Sequence, residues 1–213
     1  MRAALDDDRI DSVIAVSRRP LTHQHPKLTV VIHADFSNFA PLAARLASVA
    51  VVLCALGVSW YQVAAGPGHN SRELRYRQIT HDYVMACARV ASIANPAARF
   101  CLVSGQGASL TSSQAWARIK AETEKDLEGI FGARLTVFRP GYVYPIFGRE
   151  TPYWGDAIMR PFMAFRGPLS RWITDSGEVA RAVLYAAKGG LVPSPADNSA
   201  IIAAAAAYTS GIT

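Results

Sequence analysis

Short apolar runs alternate with longer amphipathic stretches along this chain. The runs of strand type lie at 10–17 (IDSVIAVS), 28–32, 49–56, 100–103 and 134–138. Helical patterns lie between them: the tail of a helix at 2–8, a short helix at 41–47, a long one at 73–93 stopped by Asn95-Pro96, and another from about Ser112, with Ser112 and Ser113 as N-cap candidates. In that last helix Trp116, Ile119, Thr123, Leu127 and Ile130 recur at helical spacing, so this face looks inward. Strands alternating with helices predict an α/β protein with a doubly wound parallel sheet. The run 100–103 has the character of a central strand buried on both faces.

After Gly141 the alternation loosens and aromatic residues accumulate: Tyr142, Tyr144, Phe147, Tyr153, Trp154, Phe162, Phe165 and Trp172. This predicts a small cap beside the sheet. A helix at 175–187, with Glu178 in a capping role near its start, and an alanine-rich helix at 200–208 close the chain. No repeat and no low-complexity linker divides the 213 residues, which fit one domain: a core over about 1–141 and a cap over about 142–213.

Hydrophobic residues make up 51% and charged residues 18%, which excludes a disordered chain. The net charge of +6 comes from scattered arginines, with Arg72, Arg75 and Arg77 as the nearest cluster. No nucleic-acid-binding motif accompanies them, whereas a binder of anionic phosphates fits the same charge. The cysteines, Cys54, Cys87 and Cys101, are odd in number and form no C-x-x-C, so a reducing compartment is expected. The acidic start MRAALDDDRID and the lack of an apolar run of spanning length point to a soluble, cytoplasmic protein. The five histidines show no metal-ligand spacing, and Ser104 is not in a G-x-S-x-G elbow.

Lys120 raises the chemical question. It lies one turn after Trp116, on the inward face, and a buried ammonium needs an anionic or polar partner. Either it snorkels or pairs with a carboxylate, or it serves a site. The strand–Ser104–loop–helix arrangement leading to Lys120 resembles the active-site segment of the short-chain dehydrogenases/reductases. There a serine orients the substrate, a tyrosine moves a proton, and a lysine four residues on binds the nicotinamide ribose. Ser104 and Lys120 match that pattern; the tyrosine position holds Trp116, whose indole N–H donates a hydrogen bond but does not ionise near neutral pH. The wording VSGQGAS, AWARIKAETE and FRPGYVYP is similar to atypical, epimerase-like bacterial members that carry W-A-R-x-K in place of Y-x-x-x-K. The resemblance spans about residues 1–205 and implies a Rossmann-like fold without the family's glycine-rich first βα unit, hence weak cofactor binding and two exposed strand edges in mid-sheet.

It also implies a set of cofactor contacts, each with a plainer alternative. Arg18 and Arg19 follow the first strand where an acid would bind ribose hydroxyls; arginines there accommodate a 2′-phosphate, so NADP is expected over NAD, unless both are simply solvated. Asp35 would contact the adenine amino group and Phe36 would pack on the ring, or they are a strand-end turn and a core aromatic. Leu56 and Gly57 end the third strand at the edge where such sheets bind ligands, and Pro140 and Gly141 would line the nicotinamide, or form a plain turn. Tyr142 and Tyr144 are candidates to touch substrate. Three functions remain open: an NAD(P)-dependent oxidoreductase or epimerase-like enzyme acting on a small carbonyl or hydroxyl compound, a catalytically silent NADP-binding sensor or scaffold, and a truncated product without activity. The substrate and the oligomeric state are not legible.

Overall fold

Strand β4 (Arg99–Val103) is the centre of the fold in the computed structural model, which describes residues 1–63, 71–146 and 171–211. It pairs in parallel with β3 (Val51–Cys54) on one side and β5 (Leu135–Phe138) on the other, with Phe100 opposite Val52 and Leu135. Its side chains alternate between two helical layers, as the period of a strand requires. Phe100 and Leu102 meet Val84, Met85, Ala88, Leu127 and Phe131 on one face. Cys101 meets Val179, Ala182, Val183 and Ile201 on the other.

The first layer comprises α3 (Ser71–Arg77), α4 (Tyr83–Ala94) and α5 (Ala115–Phe131). A π-helical turn, Gln78–Asp82, joins α3 to α4, so the long helix expected from the sequence is continuous but locally widened. The second layer is α6 (Ser176–Ala187) and α7 (Asn198–Thr209). Helix α6 begins with a capping box: Asp175 Oδ1 accepts from the Glu178 amide at 2.8 Å, and Glu178 Oε2 accepts from the Asp175 amide at 3.1 Å. The described part of the C-terminal region thus covers a face of the sheet. Phe147, Tyr153, Trp154, Phe162 and Phe165 of the aromatic stretch lie outside the described residues.

Two further parallel pairs complete the fold. Strands β1 (Val13–Ser17) and β2 (Leu28–Ile32) pair with each other, as do β6 (Tyr142–Tyr144) and β7 (Ile173–Asp175), which the sequence pattern did not announce. Among the described residues β1 and β3 do not pair with each other, so each has one open edge. Val16, Val31 and Val52 nevertheless pack around the same cluster of Phe39, Leu42, Leu46 and Ala91. Residues of both sheets thus pack on one apolar patch, which includes Leu46 of α2 (Ala43–Leu46). The arrangement is the Rossmann-like architecture expected from the alternation, interrupted at mid-sheet.

Boundaries shift where side chains redirect the backbone. Helix α5 begins at Ala115, not near Ser112, and neither Ser112 nor Ser113 caps it. The Arg118 guanidinium takes the carbonyls of Ser112 and Ser113 at 3.0 and 2.9 Å, which holds that segment in a turn before the helix. Ile119, Thr123 and Leu127 are buried as the periodicity requires, and Trp116 and Ile130 are half-buried.

A polar clip closes the N-terminal segment, from α1 (Arg2–Leu5) onward, against α7. Asp7 accepts from the Arg9 amide (2.8 Å), Nε (2.9 Å) and Nη2 (2.8 Å), and from the Tyr208 hydroxyl. The Arg9 guanidinium lies 4.1 Å from the centre of the Tyr208 ring. Arg9 holds the Asp7 carboxyl well below the usual carboxylate range, and burial followed by the Asp7 carboxylate pushes the Tyr208 hydroxyl up to about 12. A depressed carboxyl contributes stability above its unfolded value of about 4, and that contribution is lost as pH falls through the folded value. The stability gap between the wild type and Asp7→Asn, read from urea unfolding, should therefore be full at pH 7 and shrink steadily below pH 4. A gap of constant size down to pH 2.5 would contradict this.

Candidate active site

Every strand pair among the described residues is parallel, so the residues after β3, β4 and β5 emerge at the carboxyl edge of their sheet, and those after β1 and β2 at the carboxyl edge of theirs. Ser104 follows β4. Its amide donates to the Phe138 carbonyl at 2.7 Å, and the Gln106 amide donates to the Pro140 carbonyl at 2.8 Å. These bonds extend the β4–β5 ladder into the loops. Residues 103–107 and 140–143, with Trp172 and Ile173, then form the walls of an open, mostly apolar cleft of about 880 Å³.

Gly141 is required by close approach. A Cβ there would collide with the Trp172 carbonyl and lie 2.6 Å from Gln106 Oε1. Its amide is held by Asn198 Oδ1 at 2.9 Å, from the first turn of α7. Gly107 is required by its backbone, at φ 88°, and the Trp116 ring lies 3.2 Å from where its Cβ would stand.

Behind the cleft Lys120 and Ser104 line one very small cavity together with Leu56, Thr80, Leu102 and Thr123. The stem of Lys120 also passes 3.5 Å from the Cβ position of Gly105. Burial pulls Lys120 below the ordinary lysine value, and the Glu124 carboxylate, one turn further along α5, pulls the other way. Both readings of this inward lysine, a side chain that snorkels or meets a carboxylate and one that serves a site, remain open: Lys120 is half-buried, with the Glu124 carboxylate acting on it and Ser104 at the same cavity.

Glu124 is the residue that sequence reasoning missed. It is 7% exposed and accepts from Arg139 Nε at 3.1 and 3.0 Å through its two oxygens, with a closer contact from Arg139 Nη2. Ser104 Oγ donates to Glu124 Oε1 at 2.5 Å. The available signal was the spacing of Glu124, four residues after Lys120 on the inward face, with an arginine at the end of β5 to meet it.

Trp116 packs sideways. It joins Val58, Trp60, Val63, Tyr76 and Ile119 in an apolar cluster, and its Nε1 donates to Gln114 Oε1. The remaining sequence-derived positions follow the strands that carry them. Arg18 and Arg19 are exposed after β1, with the Arg18 guanidinium 5.9 Å from the centre of the Phe36 ring. Asp35 is exposed, accepts from the Ser37 amide at 2.9 Å and from its hydroxyl at 2.5 Å, and is lowered by those bonds. Gly57 is exposed with open space around it, while Leu56 faces the Lys120 cavity. Ser104, Lys120, Leu56, Pro140 and Gly141 therefore converge, Arg18 and Phe36 form a second group, and Arg19 and Asp35 touch neither group.

No family model matches the chain. It is similar to Protein fmp52, mitochondrial, of Aspergillus clavatus, 29% identical over 192 residues, covering 85% of this chain and 78% of that protein. Among solved structures it is similar to the UDP-glucuronic acid 4-epimerase of Bacillus cereus in complex with NAD, with a TM-score of 0.62 at 12% identity over 95% of this chain and 75% of that one. It is also similar to a short chain dehydrogenase of Burkholderia cenocepacia in complex with NADP, with a TM-score of 0.61 at 16% identity over 95% and 84%.

The fungal relatives, from Aspergillus clavatus, Emericella nidulans, Aspergillus niger and Aspergillus fumigatus, are all named mitochondrial, which overturns the expectation of a cytoplasmic protein. That expectation rested on the acidic opening residues and the lack of a long apolar run, which bear on secretion and membrane insertion and not on the choice of compartment. Among the described residues no helix is long and apolar enough to cross a membrane. With its parallel, helix-flanked layers and these neighbours, the chain has the Rossmann-like fold of the short-chain dehydrogenases/reductases and epimerases, in keeping with the atypical members that its W-A-R-x-K segment resembles.

Proposed function

We propose that the protein is an NAD(P)-dependent oxidoreductase or epimerase-like enzyme working at the cleft beside Ser104. The observation that carries this reading is the meeting of Ser104 and Lys120 at one small cavity on the carboxyl edge. A half-buried lysine there, its stem alongside Gly105, suits a partner that brings hydroxyl groups to its ammonium. The bare edge at Gly57 suits a ligand passing close to the backbone. When bound, the nicotinamide group supplies hydride transfer. The chain's own residues bind and orient: Lys120 would hold the ribose, Pro140 and Gly141 would bound the ring, and Leu56 and Gly57 would bound the middle of the cofactor. Phe36 would pack on the adenine ring, and Asp35 would meet its amino group.

NADP is the favoured cofactor, because exposed Arg18 and Arg19 follow β1 and no acid stands there to bind ribose hydroxyls. A calorimetric comparison of NADPH and NADH should give a preference of about 10-fold for NADPH, the worth of one charge-assisted contact. Arg18→Ala/Arg19→Ala should bring the ratio near one. An unchanged ratio in the double variant would show that these guanidinium groups do not touch the cofactor.

One observation favours a second reading, a cofactor-binding sensor without catalysis. Trp116 stands where a proton-transfer group is needed, and its only polar atom is committed to Gln114. The substrate would be a small compound with a carbonyl or hydroxyl group.

A further inference from the structure

Lys120 is half-buried, and among the described residues its ammonium makes no hydrogen bond and no ion pair. A cation so placed needs an opposite charge nearby, or it tends to give up its proton. Glu124 stands one turn further along α5 and is 7% exposed. It reaches the wall of the lysine's cavity, because Ser104 lines that cavity and its Oγ donates to Glu124 Oε1 at 2.5 Å. Arg139, at the end of β5, holds both carboxylate oxygens with its Nε at 3.1 and 3.0 Å, which fixes where the charge sits. The other titratable group acting on Lys120 is the Cys54 thiol of β3, and burial pushes that thiol up to about 11. Among the described residues Glu124 is thus the source of negative charge beside Lys120 at neutral pH.

We infer that Glu124 is a positioning residue for both groups of the site: it fixes the Ser104 hydroxyl by a hydrogen bond and holds Lys120 as an ammonium by its charge. The inference rests on reading Ser104 and Lys120 as the site. Neither Glu124 nor Arg139 lines the cavity, so both act on a ligand there only through Lys120 and Ser104. Burial disfavours the charge on Lys120, and the carboxylate opposes that effect. Lys120 therefore meets its ligand with donors only, and selects oxygen acceptors.

The charge on Lys120 is read from its ¹³Cε signal in protein labelled with ¹³C-lysine, assigned by its disappearance in Lys120→Met. Lys27 and Lys188 serve as internal references. In Glu124→Gln the Lys120 signal should titrate at lower pH than in the wild type, with proton affinity reduced about 10-fold or more, the worth of one charge a few ångströms away. Glutamine keeps the size and an oxygen for the Ser104 hydroxyl, so a merely structural tie between α5 and β5 would leave this titration in place. If Glu124→Gln does not fold, the double variant Arg139→Met/Glu124→Leu removes both charges and should displace the titration in the same direction by less. NADPH should move the Lys120 signal of the wild type. The same titration of Lys120 in the wild type and in the folded variants overturns the inference, and leaves the site reading standing where NADPH still moves the signal. A Lys120 signal indifferent to NADPH overturns the reading of the site and the inference with it.

Discussion

Arg139→Met is expected to lower the free energy of unfolding by about 3 kcal/mol or more, the usual cost of leaving one partner of a buried ion pair uncompensated. Glu124 keeps its place on the inward face of α5, with 9% of its side chain exposed, and loses the guanidinium that both of its oxygens face. The Ser104 hydroxyl alone cannot offset the desolvation of that carboxylate. Adding Glu124→Leu should restore much of the loss, because a buried pair replaced by apolar groups is often close to neutral. Urea unfolding of the three variants checks this. A loss below about 1 kcal/mol for Arg139→Met, the range of a solvated surface pair, would show that Glu124 is not desolvated. The pair links β5 to α5 directly under Ser104, so the same variant should also disturb the cleft.

The second large effect concerns catalysis. A general acid–base group placed beside the reacting oxygen contributes about 10²- to 10⁴-fold in rate. Trp116 cannot supply it. Its ring is packed with Val63 and Tyr76, and its N–H is turned to Gln114. Carbonyl reduction with NADPH should therefore be slow in the wild type. In Trp116→Tyr it should rise by up to about that factor, since the new hydroxyl stands one turn before Lys120 on α5. The smaller ring leaves space beside Gly107, and a stability loss of about 1–3 kcal/mol should accompany the change. Rapid turnover by the wild type, unaltered by Trp116→Tyr, would place the proton donor elsewhere, with Tyr142 and Tyr144 as the next residues to replace. Unchanged slow turnover, with only stability and cofactor affinity altered, would favour the sensor.

The layers of the fold were legible because both of its periods are written locally. Phe100 to Val103 alternate against two helical faces, and Ile119, Thr123 and Leu127 mark the buried stripe of α5. The pairing of β6 with β7 was not legible. Each is three residues long and lies next to the stretch where the pattern loosens, so neither carries a periodic signal of its own. The start of α5 was misread because serines ordinarily cap helices, whereas here Arg118 draws their carbonyls into a turn. In the site, Ser104 and Lys120 stood out through a motif. Glu124 did not, because a glutamate in a run of charged residues reads as solvated, and only the position of Arg139 in the folded chain shows that it is buried. The sideways packing of Trp116 depended on Tyr76 and Val63, distant in sequence, and could not be read locally.

The central claim is that a nicotinamide cofactor lies along the carboxyl edge with its ribose at Lys120. A titration of ¹⁵N-labelled protein with NADPH tests it most directly. The account predicts saturable shifts in the amides of Gly57, Ser104, Gly105, Lys120 and Gly141, and their loss in Lys120→Met at the same NADPH concentration. Shifts confined to surface arginines away from this edge, or a response in Lys120→Met equal to that of the wild type, would contradict it.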